Sequence, residues 1–138
     1  MKRMVCCSMS NFQKKVENFE KSVTRLQEAL AEYDLNKSTT VRDGAIQRFE
    51  FSVELAWKTT REYLLDQGFA DLNSPKTVMR EAYSYKIIHN EHVWIQILND
   101  RNLTSHVYDE KTADEIFARI RTSHMPTLKD LSAFFCEK

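Results

Sequence analysis

The sequence predicts an all-α protein, a four- to five-helix up-and-down antiparallel bundle, on three observations. Only two Gly and two Pro interrupt 138 residues, too few for a turn-rich β architecture. Apolar residues recur in steps of three and four over long stretches, the rhythm of one helix face. The segments between these stretches are short and polar, which makes successive long helices antiparallel neighbours.

The first helix is the clearest. Phe12, Val16, Phe19, Val23, Leu26, Leu30 and Tyr33 form a single stripe, which spans roughly 24 residues, or about 36 Å of helix. Ser10 and Gln13 have the capping-box spacing, in which two side chains satisfy the orphaned N–H groups of a helix start. Residues 1–9 are therefore read as a loose tail ahead of a single domain, 10–138. Asn36 to Thr40 offers N-caps for a second helix, along which Ile46, Phe49, Val53, Ala56, Thr60 and Tyr63 repeat the stripe as far as Gln67-Gly68. Glycine suits the left-handed position just past a helix end. Trp57 and Leu64 widen this stripe, and Trp57 is assigned to the core along with Trp94.

Asn73-Ser74-Pro75 starts a third helix, about 75 to 88, with Ser as N-cap and Pro where its missing N–H costs nothing. Val78, Met79, Ala82 and Ile87 face inward; the chain breaks near His89-Asn90, and Val93, Trp94, Ile97 and Leu98 resume an apolar face. From Ala113, the spacing of Ile116, Phe117 and Ile120 gives a last helix. It is interrupted or kinked near Met125-Pro126, and Leu128, Leu131, Phe134 and Phe135 carry it onward.

The charge balance, 20 Lys+Arg against 20 Asp+Glu, excludes a global basic field that would draw the chain onto nucleic acid. Any such chemistry has to come from a local patch. Lys76, Arg80 and Lys86 are read as solvated surface, since only the first two share a helix face. Cys6, Cys7 and Cys136 are read as free thiols. His89 and His92 lie three apart but lack a third convergent ligand, so no metal and no cofactor is assigned. The short apolar runs and the basic start MKRMVCCSM support neither export nor membrane spanning, and the chain is read as cytoplasmic.

One stretch departs from the pattern. DRNLTSHVYDE, Asp100 to Glu110, sets an arginine, a histidine and a tyrosine among Asn, Thr and Ser, with Leu103 and Val107 as its hydrophobes. On a continuous helix Arg101 and His106 are about 140° apart around the axis. Their convergence requires the helix to end or distort around Thr104-Ser105, with a new one beginning near Asp109. The pair is suited to a phosphodiester: imidazole exchanges a proton near neutral pH, and guanidinium offers a planar fork to phosphate oxygens.

That segment, together with FEFSVELAWKTTREYLLDQGF and SPKTVMREAYSYKII upstream, resembles the HEPN superfamily. The likeness is closest to the small proteins encoded beside minimal nucleotidyltransferases and known as nucleotidyltransferase substrate-binding proteins. It runs from about residue 10 over nearly the whole chain. The resemblance assigns Arg101 and His106 as catalytic residues of a metal-independent ribonuclease, Asn102 as a supporting residue, and Tyr108 as acceptor of AMP. It implies a homodimer whose motifs face a shared cleft, acting as the toxin of a two-component module. The partner, a minimal nucleotidyltransferase antitoxin, neutralises it by transferring AMP to Tyr108. Asp109 and Glu110 are read as carboxylates at a helix N-terminus. The alternative is a non-catalytic subunit that binds a nucleotide or presents a substrate to the nucleotidyltransferase.

Overall fold

A computed structural model describes residues 10–106 and 109–138. Among these residues the only regular structure is helical: α1 (Asn11–Leu35), α2 (Thr39–Asp66), α3 (Pro75–Ser84), α4 (Glu91–His106), α5 (Glu110–Arg119), a π-helical turn (Ile120–His124) and α6 (Met125–Cys136). The last three run on without a break, so the bundle contains five helical rods. Helix α2 is central, packed against α1, α3, α4, α5 and α6. No helix among the described residues is long and apolar enough to cross a membrane.

Local chemistry sets the ends. The capping box at Ser10 and Gln13 forms in both directions, at 3.1 and 2.9 Å. Ser38 caps α2 through the Val41 N–H, and Ser74 caps α3 through the Thr77 N–H, with Pro75 in the first turn. Helix α2 ends in the double-bonded left-handed motif: Phe69 N–H bonds to the Leu64 carbonyl, Gly68 N–H to that of Leu65, and Gly68 has φ 101°.

Helix α3 closes in the same way four residues before the predicted end at 88. Ile87 N–H bonds to the Ala82 carbonyl and Lys86 N–H to that of Tyr83, with Lys86 itself at φ 65°. Ala82 and Ile87 are both buried, the apolar contact that accompanies this cap. A lysine in the left-handed region carries no sequence signal for a stop.

The stripes form the core. Phe19, Leu26, Phe49, Val53, Leu64, Met79, Ile97, Ile120 and Leu128 are inaccessible to solvent, and burying a side chain of this size contributes about 1.5–3 kcal/mol. Trp94 joins them, whereas Trp57 packs against them half-buried and also lines the opening between α3 and α4. At one end of the bundle Phe12, Tyr63, Phe134 and Phe135 pack edge-on or tilted with centroids 5.3–5.9 Å apart. Burial raises the Tyr63 pKa above its ordinary value.

The interruption foreseen at Met125-Pro126 takes the form of the π turn. Proline has no N–H for the carbonyl four residues back, and its ring collides with that carbonyl. The wider turn, with Met125 N–H bonded to the Ile120 carbonyl, makes room for the ring. The hydroxyls of Thr122 and Thr127 donate to the carbonyls of Ala118 and Ser123, both at 2.9 Å, so the axis continues.

Candidate functional site

Helix α4 carries the first part of the unusual stretch, Asp100 to His106. It begins at Asn90, whose side chain accepts the Val93 N–H at 3.2 Å, and buries Trp94, Ile97 and Leu98. One turn further, the same inward face presents Asp100, whose side chain is entirely buried. The Arg119 guanidinium meets it as a fork, Nε to Oδ2 and Nη2 to Oδ1, each at 2.8 Å. His124 Nε2 lies 2.8 Å from Oδ2, and Gln96 donates to Oδ1 at 3.3 Å. Burial alone would push the Asp100 pKa up, but the bonds from His124 and Arg119 outweigh it and hold the carboxyl below its ordinary range. Arg119 is correspondingly raised, chiefly by its bond to Asp100. Asp100 thus fixes α4 to α5 and the π turn immediately before the motif arginine.

Arg101 follows on the outer side, half-buried. Its Nη1 donates to Ser105 Oγ at 2.6 Å, and its Nε lies 3.7 Å from Glu54 Oε2 on α2. Nε is shielded from solvent yet makes no hydrogen bond among the described residues. Beside it opens a cavity of about 160 Å³, to which α2 contributes Glu54 and Trp57, the start of α3 Pro75 and Lys76, and α4 Arg101 and Asn102. Trp57 Nε1 donates to Glu54 Oε2 at 3.3 Å, which fixes the indole against the rim. Asn102 is exposed.

Of the basic residues on α3, the structure brings Lys76 to this cavity. Arg80 instead faces Glu91 at 3.9 Å, and Lys86 belongs to the α3 cap. His89 and His92 are exposed, and no group of three potential metal ligands forms among the described residues.

The helix end expected around Thr104-Ser105 comes no earlier than His106, so Arg101 and His106 still share one helix. Helix α4 continues through His106, because Thr104 turns its hydroxyl back onto the Arg101 carbonyl at 2.8 Å and Ser105 is held by Arg101 itself. On such a helix positions 101 and 106 are about 140° apart around the axis. The His106 side chain, and Val107 and Tyr108 altogether, lie outside the described residues.

Helix α5 restarts at Glu110, as anticipated. Asp109 is its N-cap, accepting the Thr112 N–H at 2.7 Å, and that backbone bond lowers its pKa. Glu110 serves a different partner. Arg42, 3% exposed at the start of α2, reaches Glu110, Asp114 and Asp43, each at 2.8 Å. The bond to Glu110, assisted by those to Asp43 and Asp114, raises the Arg42 pKa in spite of burial. This clasp ties α2 to the start of α5 on the far side of the motif.

Arg42, Asp100 and His124 were not singled out by sequence, yet each lies in phase with an apolar stripe: Arg42 one turn before Ile46, Asp100 one turn after Ile97, His124 one turn after Ile120. A polar residue at a core phase was the available signal.

Comparison with known proteins gives four findings. Residues 14–136 match the profile of the family described as nucleotidyltransferase substrate binding protein like. A Haemophilus influenzae protein named probable ribonuclease HepT is 34% identical over 85 residues, 59% of this chain and 58% of that protein; the chain therefore spans somewhat over half the length of the curated relative it matches. Among solved structures, a protein from Thermus thermophilus superimposes with TM-score 0.75 at 30% identity, covering 87% of this chain and 99% of the other. A Haemophilus influenzae structure, described as revealing the fold of a substrate binding domain of a nucleotidyltransferase, gives TM-score 0.79 at 24% identity over 89% and 99%. The latter likeness is one of fold.

Proposed function

Since the chain belongs to the nucleotidyltransferase substrate binding protein-like family, we propose that it is a metal-independent endoribonuclease of the HEPN type. In this reading it is the toxin of a two-component module, a single helical domain over 10–138 that acts as a cytoplasmic homodimer. The observation that carries the proposal is Arg101: a half-buried guanidinium at a cavity rim, its Nε 3.7 Å from Glu54 Oε2 and without a hydrogen bond among the described residues. A phosphate oxygen is the partner for which such a group is suited. Similarity to the protein named probable ribonuclease HepT supports the same chemistry.

The reaction follows from the groups. His106 takes the proton of a ribose 2′-hydroxyl; that oxygen attacks phosphorus, and the bond to the 5′-oxygen breaks. An acid then protonates the leaving 5′-oxygen, and the products are a 2′,3′-cyclic phosphate and a 5′-hydroxyl. Arg101 stabilises the charge on the crowded phosphoryl oxygens, and Asn102 orients it. One chain offers one His106, at a helix position about 140° around the axis from Arg101, so the acid is His106 of a second copy related by a two-fold axis.

Control comes from a minimal nucleotidyltransferase. The Tyr108 hydroxyl attacks the α-phosphorus of ATP, pyrophosphate leaves, and the AMP ester places a bulky anion two residues from His106, where it repels RNA phosphates.

The family description favours a second reading, in which the bundle binds a nucleotide or substrate for the nucleotidyltransferase and performs no chemistry. Two measurements separate them. Loss of RNA cleavage in His106→Ala with the fold intact supports the ribonuclease; absence of cleavage by the native protein leaves the binding subunit. Intact mass after incubation with the nucleotidyltransferase and ATP gains AMP in the native protein but not in Tyr108→Phe; an unchanged native mass rejects the switch.

A further inference from the structure

The cavity beside Arg101 and Asn102 also holds groups that the cleavage chemistry does not use. Its lining includes the half-buried Trp57, whose indole N–H donates to Glu54 and whose ring has Lys58 Nζ 5.9 Å from its centroid. Lys76 and Arg101 flank it from two different helices, and the exposed amides of Asn99 and Asn102 complete the rim. Its volume of about 160 Å³ equals roughly five water molecules and falls short of the ~300 Å³ at which pockets begin to hold drug-sized ligands. That is room for one planar heterocycle but not for an entire nucleotide.

A tryptophan in a small cavity, with cations and amides in the same lining, is the arrangement that receives an unstacked base, with the backbone left outside. We infer that this cavity is a nucleobase subsite: one unpaired base of single-stranded RNA stacks on Trp57, its adjacent phosphate lying against Arg101 and Lys76. The inference rests on the ribonuclease reading and adds to it a substrate class, RNA whose bases are free of a duplex. A paired base cannot enter without first leaving its helix. Stacking tolerates any base, so discrimination among sequences falls to the two asparagines.

The two tryptophans make the test direct, because Trp94 is 1% exposed and only Trp57 is open to a ligand. A short single-stranded RNA, 2′-O-methylated to block cleavage, is titrated against the native protein while tryptophan emission is followed. The expected result is quenching that saturates, little response to the same sequence as a duplex, and binding by Trp57→Leu weakened roughly 5- to 100-fold with the quench lost. Equal affinity in Trp57→Leu, or equal quenching by duplex, overturns the subsite. Should Trp57→Leu not fold, Lys76→Ala alters an exposed residue. Weaker binding with an undiminished quench at saturation supports the subsite, and unchanged affinity rejects it. Unmodified RNA separates the two layers. Quenching without cleavage sinks the ribonuclease and leaves the subsite, whereas cleavage by Trp57→Leu with native KM and cut positions sinks the subsite and leaves the ribonuclease.

Discussion

His124 Nε2 lies 2.8 Å from Asp100 Oδ2, and solvent reaches neither side chain. The imidazole stacks on Phe49 with centroids 5.5 Å apart, and its Nδ1 has no hydrogen-bond partner among the described residues. Asp100 is therefore the hydrogen-bonding tie of His124 within the core. Because an ionised carboxylate only accepts, Nε2 carries the proton it donates.

Replacing Asp100 by Asn removes the negative charge and leaves one acceptor oxygen, with an NH2 donor in place of the other, so the buried His124 N–H and the partly exposed Arg119 fork can no longer both be satisfied. Asp100→Asn should lower stability by about 3 kcal/mol, the cost typical of breaking a buried pair from one side. Urea denaturation at neutral pH measures it; a loss within error of zero would show that the contacts are compensated elsewhere.

Acid should act through the same group. The folded Asp100 pKa lies below its ordinary value of 3.8, so the unfolded chain binds the proton first. The stabilisation is present above that ordinary value and is lost as pH falls through the lower folded one. The urea midpoint of the native protein should therefore fall more steeply below about pH 4 than that of Asp100→Asn. Parallel profiles would contradict this.

Arg42 offers a contrast. Its partners Glu110 and Asp114 are 71% and 69% exposed, so its removal returns them to water and leaves no buried charge unpaired. Arg42→Met should cost roughly 1–2 kcal/mol, mostly lost charge-assisted hydrogen bonds. A loss exceeding that of Asp100→Asn would reverse the ranking argued from exposure.

The two left-handed helix ends should respond in opposite directions. Gly68→Ala forces a Cβ into φ 101° and should cost about 1 kcal/mol, although nothing lies within 4 Å of the new atom. Lys86→Gly relieves the lysine at φ 65° and should gain up to about 1 kcal/mol. Thermal unfolding of both variants checks the signs.

Mixing subunits tests the proposed two-fold site. If one phosphate needs His106 from both copies, an equal mixture of native and His106→Ala chains keeps about a quarter of the native activity, because only native pairs are competent. Retention of about a half would place each complete site within one chain.

What was legible in the sequence was local. Ser10 with Gln13, Gly68, Ser74 with Pro75, and Asp109 each specify a helix end through atoms a few residues away, and the apolar stripes specify which face turns inward. Lys86 was illegible because its cap is imposed by Ala82 and Ile87 packing inward, against the ordinary preference of lysine. Thr104 and Ser105 carried the opposite lesson: two residues that favour helix ends stay helical when their hydroxyls find partners one turn back. The cavity beside Arg101 is built from α2, α3 and α4, which come together only in the folded chain. Trp57, assigned to the core by its spacing, packs against the core and also lines that opening.

Asp100 stands next to Arg101 in the chain but is buried in the core, whereas Arg101 lies at the cavity, and this adjacency has a bearing on genetics. On the proposed function, a random hunt for variants without activity would return changes at Asp100, Arg119 and His124 alongside changes at Arg101 and His106. A map drawn from the phenotype alone would show one continuous patch of essential positions. Only the amount of folded protein recovered from each clone would divide that patch into positions that carry the scaffold and positions proposed to face the substrate.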